Sequence, residues 1–188
     1  MAGARAGLTT ERVVRAGVEL ADEIGFDRVT PTELARRCGV KTASLYAHIK
    51  NFQDLRTRIA LFALEELADQ ASAALAGRAG KDALAAFADV CRDYARKHPG
   101  RYAATQLRLA PDAAADSAAL RHSRMLRAIL RGYGLGEPEQ AHAVRLLGSV
   151  LHGYISLEAA GSFSHSAPDT QESWSWILDR LDSLLTTC

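Results

Sequence analysis

The stretch VTPTELARRCGVKTASLYAH, from Val29 to His48, decides the fold. Thr30 stands where a helix N-cap is expected, with Pro31 at the first helical position and Glu33 at the third. This order predicts a helix start at which the Thr30 and Glu33 side chains each bond the other's backbone amide. Gly39 ends the short helix, because glycine readily adopts the left-handed conformation. A second short helix follows at once.

The second helix of this stretch, TASLYAHI at residues 42–49, has two different faces. Leu45 and Ile49 stand four residues apart and are expected to be buried together. The opposite face carries small or hydrogen-bonding side chains, namely Thr42, Ala43 and Ser44. Two short helices cannot bury much surface alone, so they need the amphipathic helix predicted up to Ile24 as a third wall. The sequence therefore predicts a three-helix unit with a helix-turn-helix.

The rest of the chain also predicts helices. Of its 188 residues, 48% are hydrophobic and 24% are charged, which is typical of a globular protein. Alanine is abundant, and no convincing strand pattern is present. Glycine and proline breaks separate further helices, at about 51–75, 82–97, 102–110, 113–132, 138–161 and 169–186. The predicted fold is all-α, with about nine helices.

Charge and cysteine usage limit the class of protein. Residues 1–58 hold ten Lys and Arg against seven Asp and Glu, a charge of +3, and the remainder holds thirteen against fifteen, a charge of −2. The basic end is compatible with nucleic acid. Cys38, Cys91 and Cys188 are far apart, which suits a reducing cytosol. Neither a signal peptide nor a membrane-spanning run is evident, so we expect a cytoplasmic protein with no membrane partner.

The helix-turn-helix suggests DNA as a partner. A short helix with one buried apolar face and one small polar face fits a major groove about 12 Å wide. Tyr46, His48 and Lys50 stand at the far end of this helix, where phosphates would run. The alternative is the corner of a helical bundle with an ordinary polar surface.

The same stretch resembles the DNA-binding domain of the TetR family of bacterial transcriptional regulators. The core of that family reads approximately T-x-x-x-[IL]-A-x-x-x-G-V-[ST]-x-[GA]-[ST]-L-Y-x-H-F. The matching residues in this chain are Thr30, Leu34, Ala35, Gly39, Val40, Ala43, Ser44, Leu45, Tyr46 and His48, followed by Leu55. Three positions depart from the pattern: Lys41 replaces a usual Ser or Thr, Ile49 replaces an aromatic residue, and Phe52 stands where lysine is common. Thr42 is then a candidate for the helix cap in place of Lys41.

The resemblance implies a domain organisation and a partner. Residues 1–55 would form the helix-turn-helix DNA-binding domain, and residues 56–188 a helical ligand-binding and dimerisation domain. A homodimer would bind a near-palindromic operator in double-stranded DNA, with half-sites about 34–36 Å apart or a small multiple of that distance. The expected base-edge contacts are Lys41, Thr42, Ala43 and Ser44. The expected phosphate contacts are Thr30, Tyr46, His48 and Lys50.

The last two long helices predict the dimer interface. The segment HGYISLEAAGSF at 152–163 resembles the His-Gly-containing helix of one TetR C-terminal subclass, although the tryptophan that often precedes the His-Gly pair is absent. Its helix is apolar nearly all round, and the final helix has a wide apolar stripe. The family implies a four-helix interface between two subunits. The predicted interface residues are Leu147, Leu151, Tyr154, Trp174, Ile177, Leu178 and Leu181. Alternatively, both helices fill the core of one chain.

The family also implies a ligand pocket among the middle helices. Residues of suitable type are Phe62, Phe87, Cys91, Tyr94, Tyr102, Gln106, His122, Met125, Ile129 and Leu151. They are mainly apolar or aromatic, so the expected effector is a small apolar or aromatic molecule that releases a repressor from DNA. The long helix from Asn51 is expected to couple the two domains.

Enzymatic chemistry is not predicted. The histidines show no pair at metal-ligand spacing, and Ser149 and His152 stand three apart without an acid. We therefore expect no catalytic residue, metal or cofactor. The alternative to a DNA-binding regulator is a helical small-molecule-binding protein whose helix-turn-helix mediates protein contacts.

Overall fold

The computed structural model describes residues 7–115, 118–165 and 167–187. Ten α-helices and no strand are present in these residues, so the predicted all-α class is confirmed. The helices are α1 (Thr10–Ile24), α2 (Pro31–Cys38), α3 (Thr42–Leu45), α4 (Phe52–Leu75), α5 (Gly80–Lys97), α6 (Pro99–Thr105), α7 (Pro111–Ala115), α8 (Ala118–Arg131), α9 (Glu137–Ala159) and α10 (Thr170–Thr186). A short 3₁₀ turn, Phe26–Arg28, joins α1 to α2.

Two of the helices predicted beyond residue 75 differ from the structure. The segment predicted as one helix at 113–132 contains both α7 and α8, and its residues 116–117 lie outside the described residues, as do residues 1–6 and Cys188. Helix α6 spans Pro99–Thr105 instead of 102–110. It starts earlier because proline suits the first turn of a helix. It ends at Thr105, with Gln106 as its C-cap residue.

The first four helices enclose a core of their own. Its largest members are fully or almost fully buried: Val13, Val18, Leu20, Phe26, Val29, Leu34, Leu45, Ile49, Leu55 and Ile59. Gly17 of α1 sits where a Cβ atom would come within 2.8 Å of the Ile59 Cδ1 atom of α4. The glycine therefore lets α1 and α4 cross closely, and this crossing supplies the third wall that the helix-turn-helix needs.

The remaining helices enclose a second, larger core. Leu84 and Phe87 of α5 pack there with Leu130 of α8, Leu147 of α9 and Trp174 of α10. Helix α4 contributes to both cores, because Leu55 and Ile59 lie in the first and Leu67 and Ala71 lie in the second.

A buried ion pair and its hydrogen bonds link three helices of the second core. Arg92 of α5 is 2% exposed. Its Nε and Nη2 atoms donate to the Glu158 carboxylate of α9, at 2.9 and 2.6 Å. Its Nη1 atom donates to Gln171 Oε1 of α10 at 2.7 Å, and the guanidinium lies 4.9 Å from the Trp174 ring centre. Charged groups buried in this way are stable only while they stay paired.

Helix α6 is held directly against α1. A Cβ atom on Gly100 would lie 1.9 Å from the Ala21 carbonyl oxygen, so only glycine permits this approach of the two backbones. The Arg101 amide donates to Asp22 Oδ1 at 2.8 Å, and the Arg101 guanidinium pairs with Glu66 of α4 at 3.0 Å. Any displacement of α6 therefore acts on both α1 and α4.

The predicted dimer interface requires a correction. Leu147, Leu151, Tyr154, Trp174, Leu178 and Leu181 are between 0% and 8% exposed in the single chain, and Ile177 is half-buried. The first six are core residues, because the inner faces of α9 and α10 pack on α5 and α8. For these six residues the alternative interpretation is correct. The exposed large apolar side chains of the two helices are different ones: Leu146, Leu157, Trp176 and Leu184.

Candidate DNA-binding surface and ligand cavity

Helix α3 is positioned from both ends. At its start, Gly39 adopts the left-handed conformation with φ 68°, and its amide donates to the Arg36 carbonyl. Leu45, at the end of the helix, and Ile49, four residues further on, are both buried in the first core. After its last turn, the His48 carbonyl accepts a hydrogen bond from Thr10 Oγ1 of α1 at 3.0 Å. The helix is therefore held in place by contacts before its start and after its end.

The structure leaves the predicted DNA-contacting side chains at the surface. Lys41, Ala43, Ser44, Tyr46, Lys50 and Thr30 are exposed, and Thr42 and His48 are half-buried. Lys41 is the N-cap residue of α3 and makes no side-chain cap bond, so the suggestion that Thr42 caps this helix is wrong. Regular α-helix ends at Leu45, earlier than predicted, although hydrogen bonds from the His48 and Ile49 amides to the Leu45 carbonyl continue the turn.

The predicted reciprocal cap at α2 is only half formed. Thr30 Oγ1 accepts from the Glu33 amide at 3.2 Å. The Glu33 carboxylate accepts instead from Arg36 Nη2, at 2.6 Å.

Several basic side chains near the helix-turn-helix are already paired. Arg37 binds Glu19 and Glu23 of α1. Within the described residues, no ion pair involves Lys41, Lys50 or Arg28. Arg28 is exposed two residues before Thr30 and was not predicted, since no motif marks it. These three cations remain available to an anionic partner.

A cavity of about 260 Å³ lies among α4, α5, α6, α8 and α9. Its lining includes six of the ten residues predicted for the ligand pocket: Phe87, Cys91, Tyr102, Gln106, His122 and Leu151. The sequence interpretation missed seven further lining residues: Leu64, Leu67, Thr105, Ala119, Leu126, Gly148 and His152. The spacing of Gly148 and His152, four apart on the helix that carries Leu151, was a signal for two of them.

The other four predicted pocket residues lie elsewhere. Tyr94 is a core residue whose hydroxyl donates to Glu66 Oε2 at 3.0 Å. Phe62 packs against the first core. Met125 and Ile129 line a separate depression near the start of α5. Met125 and Ile129 were wrongly assigned because the sequence does not reveal which face of α8 points toward α6.

Burial shifts the pKa values of three titratable groups of the cavity in the direction that favours their uncharged forms. The Tyr102 hydroxyl lies 3.2 Å from His152 Nδ1, and burial raises the pKa of Tyr102 well above its usual range. Burial raises the pKa of the Cys91 thiol to about 12. Burial, helped by the charge of Arg121, lowers the pKa of His122 to about 4. No Asp, Glu, Lys or Arg is among the lining residues.

The described residues contain no group of three or more His, Cys, Asp or Glu side chains arranged to hold a metal ion. In the same part of the chain, none of the helices is long and apolar enough to cross a bilayer.

Two family models match the chain. Residues 13–57 match the model of bacterial regulatory proteins of the tetR family, and residues 84–181 match that of the tetracyclin repressor-like C-terminal domain. A relative in Mycobacterium tuberculosis, the uncharacterized HTH-type transcriptional regulator Rv0681, is 34% identical over 158 residues. This match covers 83% of the present chain and 72% of Rv0681. The predicted His-Gly subclass is not confirmed by these matches.

Solved structures share the fold. BioQ with its double-stranded DNA operator superposes with a TM-score of 0.72 at 21% identity, over 97% of this chain and 100% of that one. A single-residue variant of TetR from Acinetobacter baumannii AYE, in complex with minocycline, gives a TM-score of 0.69 at 20% identity, over 94% and 96% of the two chains.

Proposed function

The chain belongs to the TetR family of bacterial transcriptional regulators, and we propose that it is a dimeric repressor released from its operator by a small apolar or aromatic effector. One observation carries the DNA-binding part. Ala43 and Ser44 of helix α3 are exposed to solvent, whereas Leu45 and Ile49 are buried and anchor the helix to the first core. A helix held in this way is suited to the major groove.

The structural neighbours support both halves of the proposal. BioQ, which has the same fold, is bound to its DNA operator, and the Acinetobacter TetR variant is bound to minocycline. We propose that residues 1–55 bind DNA and residues 56–188 bind the effector and the second subunit. Acting on DNA, the regulator would work in the cytoplasm, and we propose no catalytic step.

We propose that the dimer forms through the outer faces of α9 and α10. Leu146, Val150 and Leu157 recur at four- and seven-residue spacing on α9, so they share a face. Trp176 and Leu184 are exposed on α10, 64% and 47% respectively. Exposed apolar side chains on two helices that pack side by side are typical of an interface.

We propose that α6 carries the effector signal. Tyr102, Thr105 and Gln106 at this helix line the cavity, whereas Gly100 and Arg101 contact α1. An effector that binds better to a displaced α6 would move α1, and α1 holds the end of α3 through Thr10. Because α4 belongs to both cores, it would move with α6, as the sequence predicted for the coupling helix.

DNA recognition is tested by separating base contacts from phosphate contacts. Tyr46→Phe removes one hydroxyl at the expected backbone contact and should weaken binding to all sequences by about 3–10-fold, the effect of one hydrogen bond. Ser44→Ala should reduce the preference for the operator, since a base contact discriminates by about 1–3 kcal/mol. Fluorescence anisotropy at fixed salt measures both, with DNA upstream of the protein's own gene and a scrambled fragment of equal composition.

Thr186→Ala, which removes an exposed threonine hydroxyl on α10, is the control and should change neither affinity. Equal wild-type affinity for both fragments would contradict sequence-specific recognition. Absence of DNA binding would favour the alternative, a helix-turn-helix that contacts protein.

A further inference from the structure

His122 is a polar residue of the cavity that has no hydrogen-bond partner in the part of the chain that the structure describes. It lies on α8 and packs edge-on against the Phe87 ring, with 5.2 Å between the ring centres. Both ring nitrogens are buried, and neither makes a hydrogen bond within the described residues. Native structures pair nearly all buried polar atoms, so such a histidine at a cavity points to a ligand.

Most neighbouring polar groups are already engaged, and among them Gln106 Nε2 donates to Thr105 Oγ1 at 2.9 Å. The Tyr102 hydroxyl and His152 Nδ1 lie within hydrogen-bonding distance, and Thr105 Oγ1 donates to the Tyr102 carbonyl at 2.7 Å. Arg121 directs its guanidinium away, to Glu65 and Asp69. His122 is therefore the group that a ligand would satisfy.

The same surroundings exclude charged ligands. Since no Asp, Glu, Lys or Arg side chain lines the cavity and burial lowers the pKa of His122, an ammonium or a carboxylate would lose its hydration without gaining a counter-charge from these residues. The remaining lining is apolar, with Leu64, Leu67, Phe87, Leu126 and Leu151. The cavity, at about 260 Å³, lies near the lower end of ligand pockets, which begin at about 300 Å³. Its size suits one or two fused rings.

We propose that the effector is an uncharged aromatic molecule of one or two rings whose hydroxyl group hydrogen-bonds His122. A neutral imidazole offers one N–H donor and one bare nitrogen, and a hydroxyl both donates and accepts, so it satisfies either nitrogen. This assignment rests on the proposed effector role of the cavity.

Four probes of matched size test the proposal: 2-naphthol, naphthalene, 2-naphthoate and 2-naphthylmethylammonium. Binding is measured by titration calorimetry or fluorescence, without DNA. The wild type should bind the two uncharged probes and neither charged one. In His122→Leu, the ratio of 2-naphthol affinity to naphthalene affinity should fall about tenfold, the effect of one hydrogen bond. His142→Leu, on the exposed side of α9, should leave this ratio unchanged.

Three results would overturn the assignment: no probe binds the wild type, a charged probe binds more tightly than 2-naphthol, or His122→Leu weakens both uncharged probes equally. If His122→Leu does not fold, His122→Phe keeps a ring against Phe87 and serves in its place. Because no DNA is present, failure here is distinct from failure of operator binding.

Discussion

Replacing both Trp176 and Leu184 by aspartate is expected to yield a folded monomer that binds the operator at least about 100-fold more weakly. Burying a large apolar side chain stabilises the dimer by about 1.5–3 kcal/mol. Each such side chain occurs twice in a two-fold symmetric dimer, once in each subunit. Losing two such residues per chain therefore costs the dimer about 6–12 kcal/mol, more than a thousandfold in its dissociation constant. Sedimentation velocity and circular dichroism measure the association state and the fold.

Two single substitutions serve as matched controls for this experiment. Leu120→Asp changes a leucine that is 38% exposed on α8, outside the proposed interface, and should leave a dimer. Leu181→Asp puts a charge at a core position that is 6% exposed and should unfold the chain. A Trp176→Asp, Leu184→Asp protein that still sediments as a dimer, together with a folded monomeric Leu181→Asp protein, would restore the interface that the sequence predicted.

Glu158→Gln is expected to lower the free energy of unfolding by about 3 kcal/mol at pH 7. Hydrogen bonds from Arg92, partly opposed by burial and supported by Arg96, lower the pKa of Glu158 from 4.5 to about 2. Each pKa unit corresponds to about 1.4 kcal/mol of differential stabilisation. Gln keeps the shape but leaves the buried Arg92 guanidinium without a counter-charge. For a chain of this length the melting temperature should fall by roughly 6–12 °C, as measured by thermal denaturation.

The pH dependence has a definite sign. Because folding depresses the pKa of Glu158, its contribution is fully present above about pH 4.5 and is lost as the pH falls toward about 2. The wild type should therefore approach Glu158→Gln in stability as the solution is acidified. Glu11→Gln, which affects an exposed i,i+4 pair with Arg15, is the control and should show little change. A constant difference between wild type and Glu158→Gln from pH 7 to pH 3 would contradict this assignment.

Local signals explain why the start of the helix-turn-helix could be predicted. The Thr30 cap, Pro31 and the left-handed Gly39 each act within a few residues, and α2 has the predicted bounds. The predicted reciprocal cap fails only at Glu33, because its carboxylate accepts a hydrogen bond from Arg36 and not from the Thr30 amide. The sequence therefore predicts the Thr30 cap correctly. It does not predict which nearby group will bind the Glu33 carboxylate.

Long-range contacts explain the errors in the rest of the chain. Both faces of α9 are apolar, so its sequence cannot say which one packs on α5 and which one faces outward. Arg92 and Glu158 are 66 residues apart, and no local pattern links them. The cavity could be predicted by residue type at Phe87 and His122, but the orientation of α8 that excludes Met125 depends on its packing.

Hydroxyl-radical footprinting of the DNA upstream of the protein's own gene tests the central claim most directly, namely that two copies of α3 read one operator. We expect two protected half-sites related by a near-palindrome, on one face of the duplex, with centres about 34–36 Å apart or a small multiple of that distance. Protection should disappear with the Trp176→Asp, Leu184→Asp protein at the same concentration. A single protected patch, or uniform protection that ignores sequence, would contradict the claim.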